Sequence, residues 1–415
     1  MGGPGAIQRE EPPEQGPPPR LITSPVVFVA GLLLGISTLA FFRVPLLPAI
    51  GDELSLSAVE VGTITVAFAL GRLATDLPAG SMADRVPPAT SYLWAGLIMA
   101  AGSLLLSQAG STAVTWVAAF VIGVASSIAN TTGMSYFSRS GDRSNRGRYM
   151  ALFSTALLSG QALGPTLGGL LAGLGSWRTS QVAATVLALV FAGACLWVIR
   201  RQPARLGNAV ALPATPAAGH GATESATPAI PFLHLAIIFS VGFTVFFTIG
   251  GMTQTLIPLI GDDRLGQSAS VIGLALGLGG LFRLAGGLAG GFISDRYSRK
   301  AALLPGLATS AAGVLVVAFW TGTGGWLSSI VLISVGSIGI ATAGTMLGDR
   351  TGKGRSGRVF GQYRFVGDLG LLAGPLASTL LYSEVGYRAP LFLTAGLLIA
   401  CFTSVALLLP EHSEE

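Results

Sequence analysis

GRLATDLPAGSMADR, residues 71–85, and FRLAGGLAGGFISDR, residues 282–296, are two copies of one stretch. Their alignment pairs Arg72 with Arg283, Gly80 with Gly291, Asp84 with Asp295 and Arg85 with Arg296. The match extends outward in both directions. Upstream, LPAIGDELSLSAVEVG (47–62) meets IPLIGDDRLGQSASVIG (257–273). Downstream, GRYMALFSTALLSGQALGP (147–165) meets GRVFGQYRFVGDLGLLAGP (357–375), which pairs Gly164-Pro165 with Gly374-Pro375. Trp177-Arg178 then meets Tyr387-Arg388, and the offset stays at 210 or 211 throughout. The chain is therefore a tandem repeat of one unit about half its length.

The composition says what that unit is made of. Charged residues are 10% of the chain, against ~25% in an ordinary soluble domain, while hydrophobic residues are 51% and mean hydropathy is +0.68. Glycine occurs 58 times among 415 residues. Apolar runs long enough to cross a bilayer, joined to abundant small residues for close helix packing, define an all-α polytopic membrane protein. Lipid offers no hydrogen bonds to exposed backbone, so such runs span as helices. Twelve candidate segments lie near residues 25–48, 57–79, 89–108, 113–137, 149–173, 179–199, 232–259, 268–292, 301–321, 325–347, 358–382 and 388–409. The expected domains are a polar tail (1–20), a six-helix half (21–201), a linker rich in Pro, Ala, Thr and Gly (202–231), a second six-helix half (232–409) and a short tail (410–415).

Basic residues set the orientation. With the amino terminus in the cytosol, seventeen Lys and Arg fall on the cytosolic side and only Arg178, Arg264 and Arg388 on the other. Both termini are thus expected in the cytosol, with the protein in the inner (plasma) membrane. The net charge of +5 follows membrane side and gathers on no soluble face, which argues against nucleic-acid binding. Cys195 and Cys401 sit inside apolar runs and read as packing residues. No nucleotide-binding loop and no metal-ligand spacing is present, so neither an enzyme nor an ATP-driven pump is indicated and no cofactor is expected.

Six ionisable residues remain at depth: Arg43, Arg72, Asp76, Arg283, Arg364 and Asp368. Each needs a partner or water, because an isolated charge in the bilayer costs several kcal/mol. Arg72 and Asp76 are four apart on one helix, as are Arg364 and Asp368, so each pair shares a helix face. The pairs are not repeat equivalents: position 76 aligns with Gly287, and position 368 with Leu158. Two readings are open. In one, Asp76 and Asp368 load and release protons, since burial favours the protonated acid and a nearby Arg the ionised one. In the other, each Asp neutralises the Arg of its own helix and the pairs fix helix positions. Arg43 and Arg283 have no acid within helical reach. They would suit an anionic substrate in a cavity, or they pair across helices, for example with Glu60 or Asp76. Asn130, Gln161 and Gln254 are further cavity candidates or interhelical hydrogen-bond partners.

Taken together, these residues resemble the major facilitator superfamily over the whole chain beyond the tail. The loop after the second segment carries a Gly-x-x-x-Asp-Arg signature as Gly80, Asp84 and Arg85. The loop after the eighth is the fuller match, with Gly291, Asp295, Arg296, Arg299 and Lys300. GQALGPTLGG, Gly160 to Gly169, is similar to the motif of the proton-coupled drug antiporter branch, in which Gly164 and Pro165 shape a helix that rocks against its neighbour. The fourth segment departs from many such exporters by carrying Ser126, Ser127 and Asn130 but no charge. The resemblance implies two pseudo-symmetric six-helix halves, gating by the loop residues, and a central path lined from the first, fourth, seventh and tenth segments. The implied activity is secondary transport by a monomer in lipid: proton-coupled export of a small amphiphilic molecule. The alternatives are proton-linked uptake of an organic anion, and a non-transporting sensor on the same fold.

Overall fold

The structure, a computed structural model, describes residues 24–140, 146–201, 231–336, 342–343, 346–347 and 356–410. The expected tails apart from Pro410, nearly all of the linker, Arg143, Arg350, Lys353 and Arg355 lie outside the described residues, as do the side chains of Asp84, Asp295, Arg146 and Arg358.

Among the described residues the chain runs α1 (Ser24–Phe41), a 3-10 turn (Val44–Leu46), α2 (Leu47–Glu53), α3 (Ala58–Arg85), α4 (Pro88–Ser107), α5 (Thr112–Arg139), α6 (Arg146–Gly173) and α7 (Trp177–Arg201). The second set is α8 (Phe232–Thr248), a π-helical stretch (Ile249–Leu256), α9 (Ile257–Asp263), α10 (Ala269–Arg296), α11 (Arg299–Phe319), α12 (Thr323–Gly336), α13 (Ser356–Glu384) and α14 (Ala389–Leu408). Among the described residues ten continuous helical stretches are long and apolar enough to cross a membrane. α6 and α12 stand where the sequence places the fifth and tenth segments.

The loops obey helix-end chemistry. Ser57 begins α3 in a full capping box: its hydroxyl accepts from the Glu60 N–H, and the Glu60 carboxylate accepts from the Ser57 N–H at 2.9 Å. Glu60 is therefore engaged at the helix start and is not the partner of Arg43. Ser111, Ser268 and Ser298 cap α5, α10 and α11 in the same position.

Buried side chains form two main cores. One gathers residues from Val26 to Cys195, the other residues from Ile237 to Leu409. Each receives one residue from the opposite set: Val44, in the 3-10 turn, packs into the second core, and Leu259 of α9 into the first. Outward faces carry Trp94, Trp116, Val190, Leu288 and Phe319 exposed, the surface a lipid-facing helix presents.

The repeat slips register once between the first and seventh spans. Gly160 and Gly164 of α6 close on the carbonyls of Leu34 and Thr38, whereas their mates Gly370 and Gly374 of α13 close on Phe243 and Phe247. The α1-to-α8 offset there is 209 (34 to 243), but it is 210 by Pro48 and Pro258. One extra residue has entered the second copy, and the π-helical stretch Ile249–Leu256 is where it is absorbed.

Candidate functional site

Two seams join the halves. α6 meets α10, and α3 meets α13. Along the first, glycine lets backbones touch. A Cβ on Gly273 would meet the Pro165 carbonyl, and one on Gly169 would meet the Ala269 carbonyl. The GQALGPTLGG motif thus serves two neighbours: Gly160 and Gly164 pack on α1 and Gly168 on Phe42 just beyond it, while Gly169 packs on α10 of the other half. The fit is closest toward the face carrying the loops at 54–57 and 264–268, and loosens toward the arginine-rich face. There Leu158 and a Cβ on Gly287 would be 3.8 Å apart, and Gly80 and Gly291 have nothing within 4 Å of a Cβ position. On the closed side Thr255 donates to Thr65 at 3.3 Å across the halves, and Asp52 and Asp262 lie side by side.

The second seam carries charge. Arg364 Nη2 on α13 pairs with Asp76 Oδ1 on α3 at 3.1 Å. The same oxygen accepts from Ser127 Oγ on α5 at 2.5 Å. Asp368 lies beside Asp76, buried at 4% exposure, and within reach of Arg72 and Arg364. Arg72 donates to Ser126 Oγ at 3.4 Å, and Arg364 Nη1 approaches Met134 Sδ at 3.8 Å. The same-helix pairing expected from the spacing of four is replaced by pairing between halves. The reason is geometric: a carboxylate at a helix crossing is nearer to the facing helix than to a guanidinium one turn away on its own. Two arginines and two aspartates make the cluster neutral, while Asp76 Oδ2 and Asp368 Oδ2 remain buried without a hydrogen-bond partner.

Repeat symmetry marks this cluster as special. Its counterpart on the α6–α10 seam is Leu158 against Gly287, an apolar contact. The two acids therefore have no counterpart on the other seam, whereas Arg72 keeps a basic mate there in Arg283.

At the centre, Arg43 and Arg283 are buried, at 1% and 7% exposure. Arg43 does not meet Glu60 or Asp76. Its Nη2 donates to Gln254 Oε1 at 3.3 Å and its guanidinium lies 4.1 Å from the centre of the Phe68 ring. Gln254 and Arg283, with Gln161 and Thr253, line a small cavity of about 20 Å³. Asn130 of α5 stands apart from that lining, its Oδ1 buried and unpaired.

The loop candidates divide. Arg85 and Arg296 are exposed at helix ends. Arg299 donates to Ser294 at 2.8 Å. Lys300 Nζ donates to the carbonyls of Ala406 and Leu409, at 2.7 and 2.9 Å, and so closes the end of α14. Nothing in the sequence marks Thr253 or Met134, and Ser127 reads there only as a polar residue. The spacing of Ser126 and Ser127 on a segment otherwise free of charge was the available signal.

A family model described as Major Facilitator Superfamily matches residues 27–264 and 239–415. The chain belongs to the major facilitator superfamily. Among relatives in this superfamily, a class G tetracycline resistance protein of Vibrio anguillarum is 26% identical over 270 residues, covering 62% of each chain. A class C tetracycline resistance protein of Escherichia coli is 27% identical over 250 residues, covering 58% of this chain and 60% of its own. The alignment thus spans about three fifths of the length of these proteins. The multidrug resistance protein MdtL of Shewanella sp. is 23% identical over 304 residues, 73% of both. Among solved structures, a bacterial homologue of the human lysosomal transporter Spinster, in an inward-facing and occupied conformation, superposes with a TM-score of 0.70 at 15% identity. It covers 92% of this chain and 96% of that one. The human organic anion transporter MFSD10 superposes at 0.62 and 19% identity, over 92% and 98%. These likenesses carry the fold, the all-helical major facilitator architecture.

Proposed function

We propose that this chain is a secondary transporter of the inner membrane, with both termini cytosolic, that exports a small amphiphilic molecule in exchange for protons. The two six-helix units, residues 21–201 and 232–409, rock about the α3–α13 and α6–α10 seams as a monomer in lipid. The tetracycline and multidrug resistance names of its relatives favour export and make tetracycline the first compound to try.

The observation that carries the coupling is the Asp76–Arg364 pair, with Asp368 beside it, bridging the halves at the α3–α13 seam. A proton on Asp76 removes the charge that holds Arg364 and loosens the α3–α13 seam; loss of the proton restores it. That links protonation to the opening of the arginine-rich side, the requirement for exchange by alternating access. Gly80, Asp84, Arg85, Gly291, Asp295 and Arg296 lie at the same side and act as its gate.

The test uses full-length protein in liposomes with a pH-sensitive dye inside and tetracycline as the driving solute. Proton flux should follow the drug gradient in the wild type and vanish in Asp76→Asn. Drug movement with equal proton flux in the variant would remove Asp76 from coupling. Uptake of an organic anion is a second reading, favoured by the buried Arg43 and Arg283.

A further inference from the structure

The cavity between the first, fifth, seventh and eighth spans has one polar side, built from Gln161, Thr253, Gln254 and Arg283. Arg43 can only donate, so the oxygen of the Gln254 amide must face it, as the 3.3 Å contact requires. That leaves the Gln254 amino group to serve the cavity. Arg283 lines the same space. Buried Arg43 Nε and Nη1, Arg283 Nε and Thr253 Oγ1 have no hydrogen-bond partner. Among the described residues neither arginine makes an ion pair. Two buried, unpaired guanidiniums are costly unless something supplies the missing negative charge. The cavity, at about 20 Å³, holds one small group in this state.

We propose that this cavity is the headgroup site for the transported molecule and that it takes a carboxylate-type oxyanion carried on an otherwise apolar body. The proposal rests on the transport reading for its function but not for its binding. Arg283 supplies the charge. Arg43 acts through Gln254 as a positioning residue, fixing the amide with its N–H groups toward the anion. Phe41, Val44 and Leu276 on the cavity wall receive the apolar part.

The experiment is equilibrium dialysis of the purified full-length protein against three probes with one body: 1-naphthoate, 1-naphthamide and 1-naphthylmethylammonium. Wild type should hold naphthoate at least tenfold more tightly than either of the others. Arg283→Gln should bring the three to parity. Gln254→Glu, which sets a carboxylate against Arg43 and fills the need for an anion from within, should do the same and keep the fold. Its thermal midpoint should stay at or above that of wild type. Naphthoate preference that survives in both variants overturns the proposal, as does a wild type that binds no probe or prefers the neutral or cationic one. Asp76→Asn should leave the naphthoate preference intact. Failure of proton flux with the preference retained would thus fall on the coupling reading alone, and loss of the preference in wild type on the headgroup site alone.

Discussion

Neutralising Asp76 and Arg364 singly and together measures how firmly the halves are pinned at the α3–α13 seam. The opposed charges are 3.1 Å apart, with 15% of the Asp76 side chain and 31% of Arg364 exposed. At an effective dielectric near 20 their attraction is about 5 kcal/mol. Drawing both groups out of water takes back more than half of that, since partly buried pairs pay for desolvation. A coupling energy of about 2 kcal/mol remains, well above the ~0.2–1 kcal/mol of an exposed pair. The cycle compares wild type, Asp76→Asn, Arg364→Gln and the double variant by equilibrium unfolding in mixed micelles. Arg364→Gln should be the most damaging single change, because it leaves the Asp76 carboxylate half-buried, with Ser127 and the neighbouring Arg72 its remaining support. The double variant should recover much of that loss. A coupling below ~0.5 kcal/mol, the level at which distant sites add, would refute the view that this pair holds the seam.

Other substitutions test the rest of the architecture. Gly273→Leu should abolish transport and lower the yield of folded protein, because even a Cβ there meets the Pro165 carbonyl; Gly80→Ala, with open space around it, should fold and express as wild type. Ser57→Ala removes the capping box of α3 and should cost about 1 kcal/mol in the same unfolding assay. Glu53→Gln breaks the 2.8 Å bridge to Arg178. Since both side chains are partly exposed, at 33% and 46%, the loss should stay near 1 kcal/mol and shrink further in high salt.

The spans, the repeat and the superfamily were legible because each rests on a pattern the chain states directly: apolar runs, basic loops, and paired motifs such as Gly164-Pro165 and Gly374-Pro375. The partners of the deep charges were not. A spacing of four points to Arg72 with Asp76, and nothing local says that α13 crosses α3 where Arg364 becomes the nearer cation. Gln254 was visible as a polar residue in an apolar segment, but its role depends on Arg43 reaching it from the other half. The π-helical stretch was in principle legible. The first and seventh spans align at 209 upstream and 210 downstream, and that single step is the extra residue.

The central claim is that the charge state of Asp76 sets the separation of the halves at the arginine-rich side. Spin labels on Ser81→Cys of α3 and Gln362→Cys of α13, both exposed, report that separation directly, and Cys195 and Cys401 are buried away from label. The account predicts a distance distribution that shifts several ångströms longer as pH falls, and that is already shifted, and insensitive to pH, in Asp76→Asn. Distributions that coincide at every pH and in the variant would contradict it.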